Sequence, residues 1–155
     1  MNHGSRIKGS TDVIDFLKSQ HEQIKTMFEE VIAAKGPARE RLFGNLQDLM
    51  TAHEAAEEKV VHPAAKRAID GGAAEVAQRL AEEDEAKETL AALDKLDVNS
   101  REFEAKFRKL QSAVLKHAKS EEKEEFDELA GKLDEGKLMA MREQVVAAEA
   151  DASKN

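Results

Sequence analysis

Apolar residues recur along this chain at spacings of three and four, and breaks between those stretches divide it into four long helices. The first stripe reads Ile14, Leu17, His21, Ile24, Phe28 and Val31. Ser10-Thr11-Asp12 offers capping side chains ahead of it, and Lys35-Gly36-Pro37 ends it near Ala34 and starts the next helix. The second helix runs from about Pro37 to Ile69 on the stripe Leu42, Leu46, Leu49, His53, Ala56 or Glu57, and Val60, before Asp70-Gly71-Gly72 breaks it. A third covers roughly Ala73 to Leu96, with Val76, Leu80, Leu90 and Leu93 apolar, and Asp97-Val98-Asn99-Ser100 turns the chain. The fourth extends from about Arg101 to Leu133 and turns Phe103, Phe107, Leu110, Val114, His117 and Glu121 inward. After Asp134-Glu135-Gly136 a short helix, Lys137 to about Ala150, carries Leu138, Met141 and Val145 on one side. Docking of that face onto the same bundle is preferred to its use as a dimerising or partner-binding helix. The pattern predicts an all-α fold: an up-down-up-down antiparallel four-helix bundle over residues 10–134, with a disordered start at 1–9 and a short appended helix and tail at 135–155.

Composition narrows the class. A chain of 155 residues with 41% hydrophobic content is long enough for one domain with its own core. Ala, Glu, Lys and Leu dominate, while two prolines, no Trp or Tyr and few β-branched clusters speak against strands. A formal net charge of −8 without a Lys/Arg cluster disfavours nucleic acid as a partner. The absence of cysteine excludes disulfides, thiolate metal sites and cysteine nucleophiles, and no Gly-rich phosphate loop occurs. No apolar run reaches membrane-spanning length and the first residues lack a signal-type segment, so a cytoplasmic protein without membrane partners is expected.

The chemistry lies in polar residues that occupy core slots. His53-Glu54-Ala55-Ala56-Glu57 and His117-Ala118-Lys119-Ser120-Glu121 share one spacing, which sets an imidazole and a carboxylate about one turn apart on one helix face. With His21 they place ionisable groups on the buried stripes of three helices. Singly, each has a bland explanation: a hydrogen-bonded core histidine, or a chance HxxxE in a Glu-rich helix. Burying such groups unpaired costs on the order of several kcal/mol, so three helices doing so together point to a shared metal held by nitrogen and oxygen. His21 lies about eleven residues into its helix, His53 about sixteen before the end of its own and His117 about sixteen into the fourth. In an antiparallel bundle these heights agree within roughly two turns.

These residues resemble the hemerythrin-like HHE cation-binding family, whose pattern is a histidine on helix one, HxxxE on helix two, one or two histidines on helix three and HxxxE or HxxxxD on helix four. The resemblance covers about residues 10–133 and takes in Glu57-Glu58-Lys59-Val60-Val61-His62-Pro63, similar to a family segment of two glutamates followed by an aromatic residue and proline. It implies a non-haem centre of two iron ions, oxo- or hydroxo-bridged, with zinc or manganese ranked behind iron. His21, His53 and His117 would be terminal ligands, and Glu57 and Glu121 bridges. Helix three departs from the pattern, having no histidine; Glu83 and Lys87 fall on its inward slots. Glu83 is the preferred substitute ligand and Asp84 the next, although Glu82-Glu83-Asp84-Glu85 also reads as a solvated acidic face. His62 is a second departure. On an ideal helix it sits about half a turn out of phase with His53, as a surface or capping residue, whereas Pro63 can open a wide turn that brings it to the core as a ligand. His3 falls in the disordered start and carries no role.

The implied function is handling of a small oxidant or diatomic: hydrogen peroxide, nitric oxide or oxygen. A carboxylate in place of an imidazole adds negative charge at the metals, which favours the ferric state and disfavours reversible oxygen carriage, so catalase-like or peroxide- or nitric-oxide-reducing activity leads, with turnover itself left open. The alternatives are iron or zinc storage or oxygen sensing without turnover, and a purely structural bundle. A monomer or weak homodimer is expected.

Overall fold

Asp12 opens the first helix: its side chain accepts the Asp15 backbone N–H at 3.0 Å, satisfying one of the donors that a helix start leaves unpaired. In the computed structural model, which describes residues 12–153, every regular element is helical. The order is α1 (Val13–Ala33), α2 (Gly36–Ala56), a π-helical turn π1 (Glu57–Val61), α3 (His62–Ala68), α4 (Gly72–Asp94), α5 (Arg101–Ser120), a second π-helical turn π2 (Glu121–Phe126), α6 (Asp127–Lys132) and α7 (Glu135–Ser153). The described residues therefore form five long helical runs, two of them widened in mid-course. Ser10, Thr11 and His3 lie outside the described residues.

Connections follow the breakers. Gly71 takes φ +74, which an L side chain rarely adopts, and Gly72 follows at the start of α4. Ser100 caps α5 by accepting the Phe103 N–H at 3.1 Å. Arg39, which no stripe singled out, is buried and fastens the end of α1 to the α4–α5 turn. Its guanidinium donates to the carbonyls of Val31, Ile32, Ala34 and Val98 at 2.8–3.0 Å, taking up the acceptors that a helix C-terminus leaves free.

Two apolar cores result. One gathers Ile14, Leu17, Val61, Phe126 and Leu129 with Leu138, Met141 and Val145; the other gathers Phe28, Leu46, Met50, Leu93, Phe103 and Phe107. On α2 the large apolar side chains that are buried are Phe43, Leu46 and Met50, and Leu42 and Leu49 are only half-buried, a rotation of the expected stripe. The appended helix is not short: it spans 19 residues and packs its apolar face on α1, α2 and π1. That docking uses up the surface a dimerising helix would have needed. No helix among the described residues is long and apolar enough to cross a membrane. Between the two cores, on α1, α2, π1, the start of α3, α4, α5 and π2, inward positions belong to polar residues.

Candidate metal centre

Four imidazoles converge there, each in the same way. His21 Nδ1 donates to Glu122 (2.6 Å), His53 Nδ1 to the Gln20 amide oxygen (2.7 Å), His62 Nδ1 to Glu125 (2.8 Å) and His117 Nδ1 to Glu82 (2.6 Å). Carboxylates and amide oxygens only accept, so each partner holds the proton on Nδ1 and turns Nε2 inward. His21 Nε2 and His53 Nε2 stand 3.2 Å apart, His53 Nε2 lies 3.1 Å from Glu57, and His62 Nε2 and His117 Nε2 lie 2.9 and 3.4 Å from Glu83.

The inward donor atoms form three overlapping groups, each with its atoms within 4.8 Å of one another: His21, His53, Glu57 and Glu121; Glu57, Glu83, His117 and Glu121; and His62, Glu121 and Glu125. Glu57 and Glu121 belong to both of the first two groups, and Glu121 to all three. All seven residues singled out as ligands from sequence are thus brought into one cluster. Asp84 is exposed and stands outside it. Lys87, expected to face inward, is exposed and pairs with Glu58 at 2.9 Å, because the inward face of α4 passes through Glu83 and Leu90 and a buried ammonium would need a partner that the site keeps for its imidazoles.

The π turns explain His62. Its backbone N–H reaches back five residues to Glu57 O, and Asp127 N–H likewise to Glu122 O. Accommodating one extra residue shifts the phase of everything that follows by about 100°, so His62 comes round to the face of His53 and Glu57. Pro63 fits this geometry at α3 but does not create it, since π2 makes the same turn without proline. Glu125, four residues after Glu121, is the functional candidate that the stripes missed. It is fully buried beside Phe126, and the only sequence sign was a second glutamate one turn past the tetrad.

Electrostatically the cluster is crowded with acids. Burial and the Glu121 charge hold Glu57 well above the usual carboxylate range. Burial also opposes ionisation of Glu83, but hydrogen bonds from His117 and His62 win and bring it down to about 2. Burial lowers His62 and His117, and is outweighed by their glutamate partners, which push them up to about 10 and about 9. His53, buried and facing the His21 charge, drops to about 3. Both carboxylate oxygens of Glu57 and of Glu121, and one each of Glu83 and Glu125, are buried without a hydrogen-bond donor. Orphaned oxygens of this kind, beside imidazoles that turn Nε2 inward, are the donor set of a metal of intermediate hardness such as iron, manganese or zinc, so the residues fit such an ion.

Two hollows adjoin the cluster. A cavity of about 20 Å³ touches His21, His53 and His117 and is otherwise walled mainly by Ile24, Met50, Val114, Leu115 and Ala118. A larger cleft of about 690 Å³ between α4 and α5 reaches Glu54, Glu83 and His117, with Glu54, Val114 and His117 common to both hollows.

A family model, the hemerythrin HHE cation binding domain, matches residues 12–129, and the chain belongs to this family. Among solved structures it is similar to a hemerythrin HHE cation binding domain-containing protein from Mycobacterium kansasii, with a TM-score of 0.82 and 19% identity over 94% of this chain and 89% of that one, a likeness of fold. It is also 25% identical over 116 residues to a DNA nickase of Nostoc sp. (strain PCC 7120 / SAG 25.82 / UTEX 2576), a match to 74% of this chain and 32% of that protein, so the chain spans about a third of that relative's length. Membership of the family implies binding of metal ions, typically iron, and the buried His/Glu cluster could hold them.

Proposed function

We propose that the first four of the five long helical runs form an up-down-up-down antiparallel bundle holding two iron ions, and that the pair handles a small oxidant, with hydrogen peroxide or nitric oxide ahead of oxygen. His21 and His53 would hold one ion and His117 and Glu83 the other, with Glu57 and Glu121 between them and His62 beside Glu83. The observation that carries the reading is the sharing of Glu57 and Glu121 by two donor groups. A bound iron pair supplies redox equivalents and Lewis acidity. The chain supplies the rest: hydrogen bonds that aim the imidazoles, Phe126 stacked on His21 at 5.7 Å, and apolar walls that keep bulk water off one side. A cavity of about 20 Å³ is on the scale of one water, which suits a diatomic or peroxide and excludes larger ligands at that side. The α4–α5 cleft is the access route on the other.

Contact with DNA, which the likeness to a nickase raises, meets an unfavourable net charge of −8. The test is iron loading followed by metal analysis, an absorption spectrum and measurement of oxygen release from hydrogen peroxide. Two irons per chain, near-ultraviolet bands over the weak background of a protein without Trp or Tyr, and turnover well above a His117→Ala control are expected. Peroxide turnover no greater than that control removes the catalase reading, and a redox-silent zinc site favours storage.

A further inference from the structure

The hydrogen bonds behind His53 continue past its first partner. Gln20, which accepts from His53 Nδ1, donates through its own Nε2 to Glu149 Oε1 at 2.7 Å. Glu149 lies near the end of α7, beyond residues 12–129 that the family model matches. Leu138, Met141, Val145 and Ala148 are buried and hold this helix in place.

The direction of the chain is set by donor and acceptor identity. An ionised carboxylate can only accept, so Gln20 must turn its NH₂ to Glu149 and its carbonyl oxygen to His53. That oxygen also can only accept, so His53 must carry its proton on Nδ1. The Nε2 lone pair is then left facing Glu57 and His21, as a ligating histidine needs. His53 differs in this from His21, His62 and His117, whose Nδ1 partners are carboxylates that need no further instruction. A glutamine by itself could present either end.

We propose that Glu149 is a positioning residue for the metal centre, acting through Gln20 to fix the tautomer and aim of His53, so that the C-terminal helix is part of the site. The inference rests on the metal-binding reading above. Glu149→Lys tests it, because a lysine can only donate: Gln20 must then turn its oxygen to position 149 and its NH₂ to His53, which forces the proton onto Nε2. Glu143→Lys makes the same charge change on the same helix at a side chain 71% exposed and serves as the control. Iron affinity by chelator competition and the absorption spectrum of the loaded protein are the readouts, with circular dichroism and melting of the iron-free protein alongside. Glu149→Lys is expected to weaken iron binding tenfold or more and to change the spectrum, the size usual for loss of an outer partner of a ligand. Adding Gln20→Glu to it restores an acceptor toward His53 and should bring affinity back to within about threefold of the unaltered chain. Equal affinity and spectra for Glu149→Lys and Glu143→Lys overturn the proposal. Should Glu149→Lys also destabilise the iron-free protein, the double variant decides: no recovery of affinity overturns it. Failure of the unaltered chain to bind iron would instead sink the metal-binding reading, so the two failures are distinct.

Discussion

At the scale of single residues, the two glycines of the Gly71-Gly72 breaker do different work. Gly71 supplies a left-handed φ, whereas Gly72 has an ordinary conformation but no room: a Cβ there would stand 2.4 Å from the Ala65 carbonyl oxygen. Because that neighbour is backbone, relief requires α3 and α4 to separate, and Gly72→Ala should cost about 1–3 kcal/mol. Gly44, inside α2 with nothing within 4 Å of a built Cβ, is the opposite case; Gly44→Ala should stabilise by roughly 0.5–1 kcal/mol. Urea unfolding of the two variants measures both, and equal effects would refute the close-approach argument. The dipeptide was legible as a breaker, but the tight approach at Gly72 depends on where α3 returns and no local pattern encodes it.

At the scale of elements, the π turns matter most. Each begins at the glutamate of an HxxxE tetrad; π1 re-phases the helix so that His62, five residues on, joins Glu57, and π2 contains Glu125, which one turn already sets beside Glu121. Deleting Lys59, an exposed residue of π1, should collapse the turn to α-helix and rotate His62 by about 100° away from Glu83. The expected outcome is largely preserved helicity by circular dichroism, a lower iron-to-protein ratio and a lower melting temperature, while Lys59→Ala leaves all three unchanged. An iron ratio unaffected by the deletion would show that His62 is dispensable. Four of the five helical runs were readable to within a few residues from stripes and breakers. Ideal helical phase alone left His62 half a turn from His53, and the wide turn that the sequence allowed before Pro63 is what the structure shows, as π1.

At the scale of the whole molecule, the polar cluster separates two apolar cores, so whatever occupies it joins the halves. Four buried glutamates, three buried histidines and the partly buried His117 repel or pair imperfectly in one space, and a cation relieves that cost. A ligand at a thousand times its dissociation constant contributes about 4 kcal/mol, and for a chain of this length each kcal/mol moves the midpoint by roughly 2–4 °C. Removing metal with a chelator should therefore lower the melting temperature on the order of 10 °C, read by calorimetry. An unchanged midpoint would favour the purely structural bundle.

The sequence by itself determined the helical class, the breaks, and the inward placing of five candidate ligands, His21, His53, Glu57, His117 and Glu121, because a residue in an apolar stripe announces its burial through period alone. It also raised Glu83 by elimination on helix three. The tertiary structure decided between Glu83 and Asp84, turned Lys87 outward, chose the inward of two placements for His62, added Glu125 and linked Glu149 to His53 through Gln20. Those outcomes depend on the pitch of a helix at one turn and on the meeting of residues far apart in the chain, as with Gln20 and Glu149 at a separation of 129. Periodicity reports which face of a helix is buried, whereas only packing decides what that face meets.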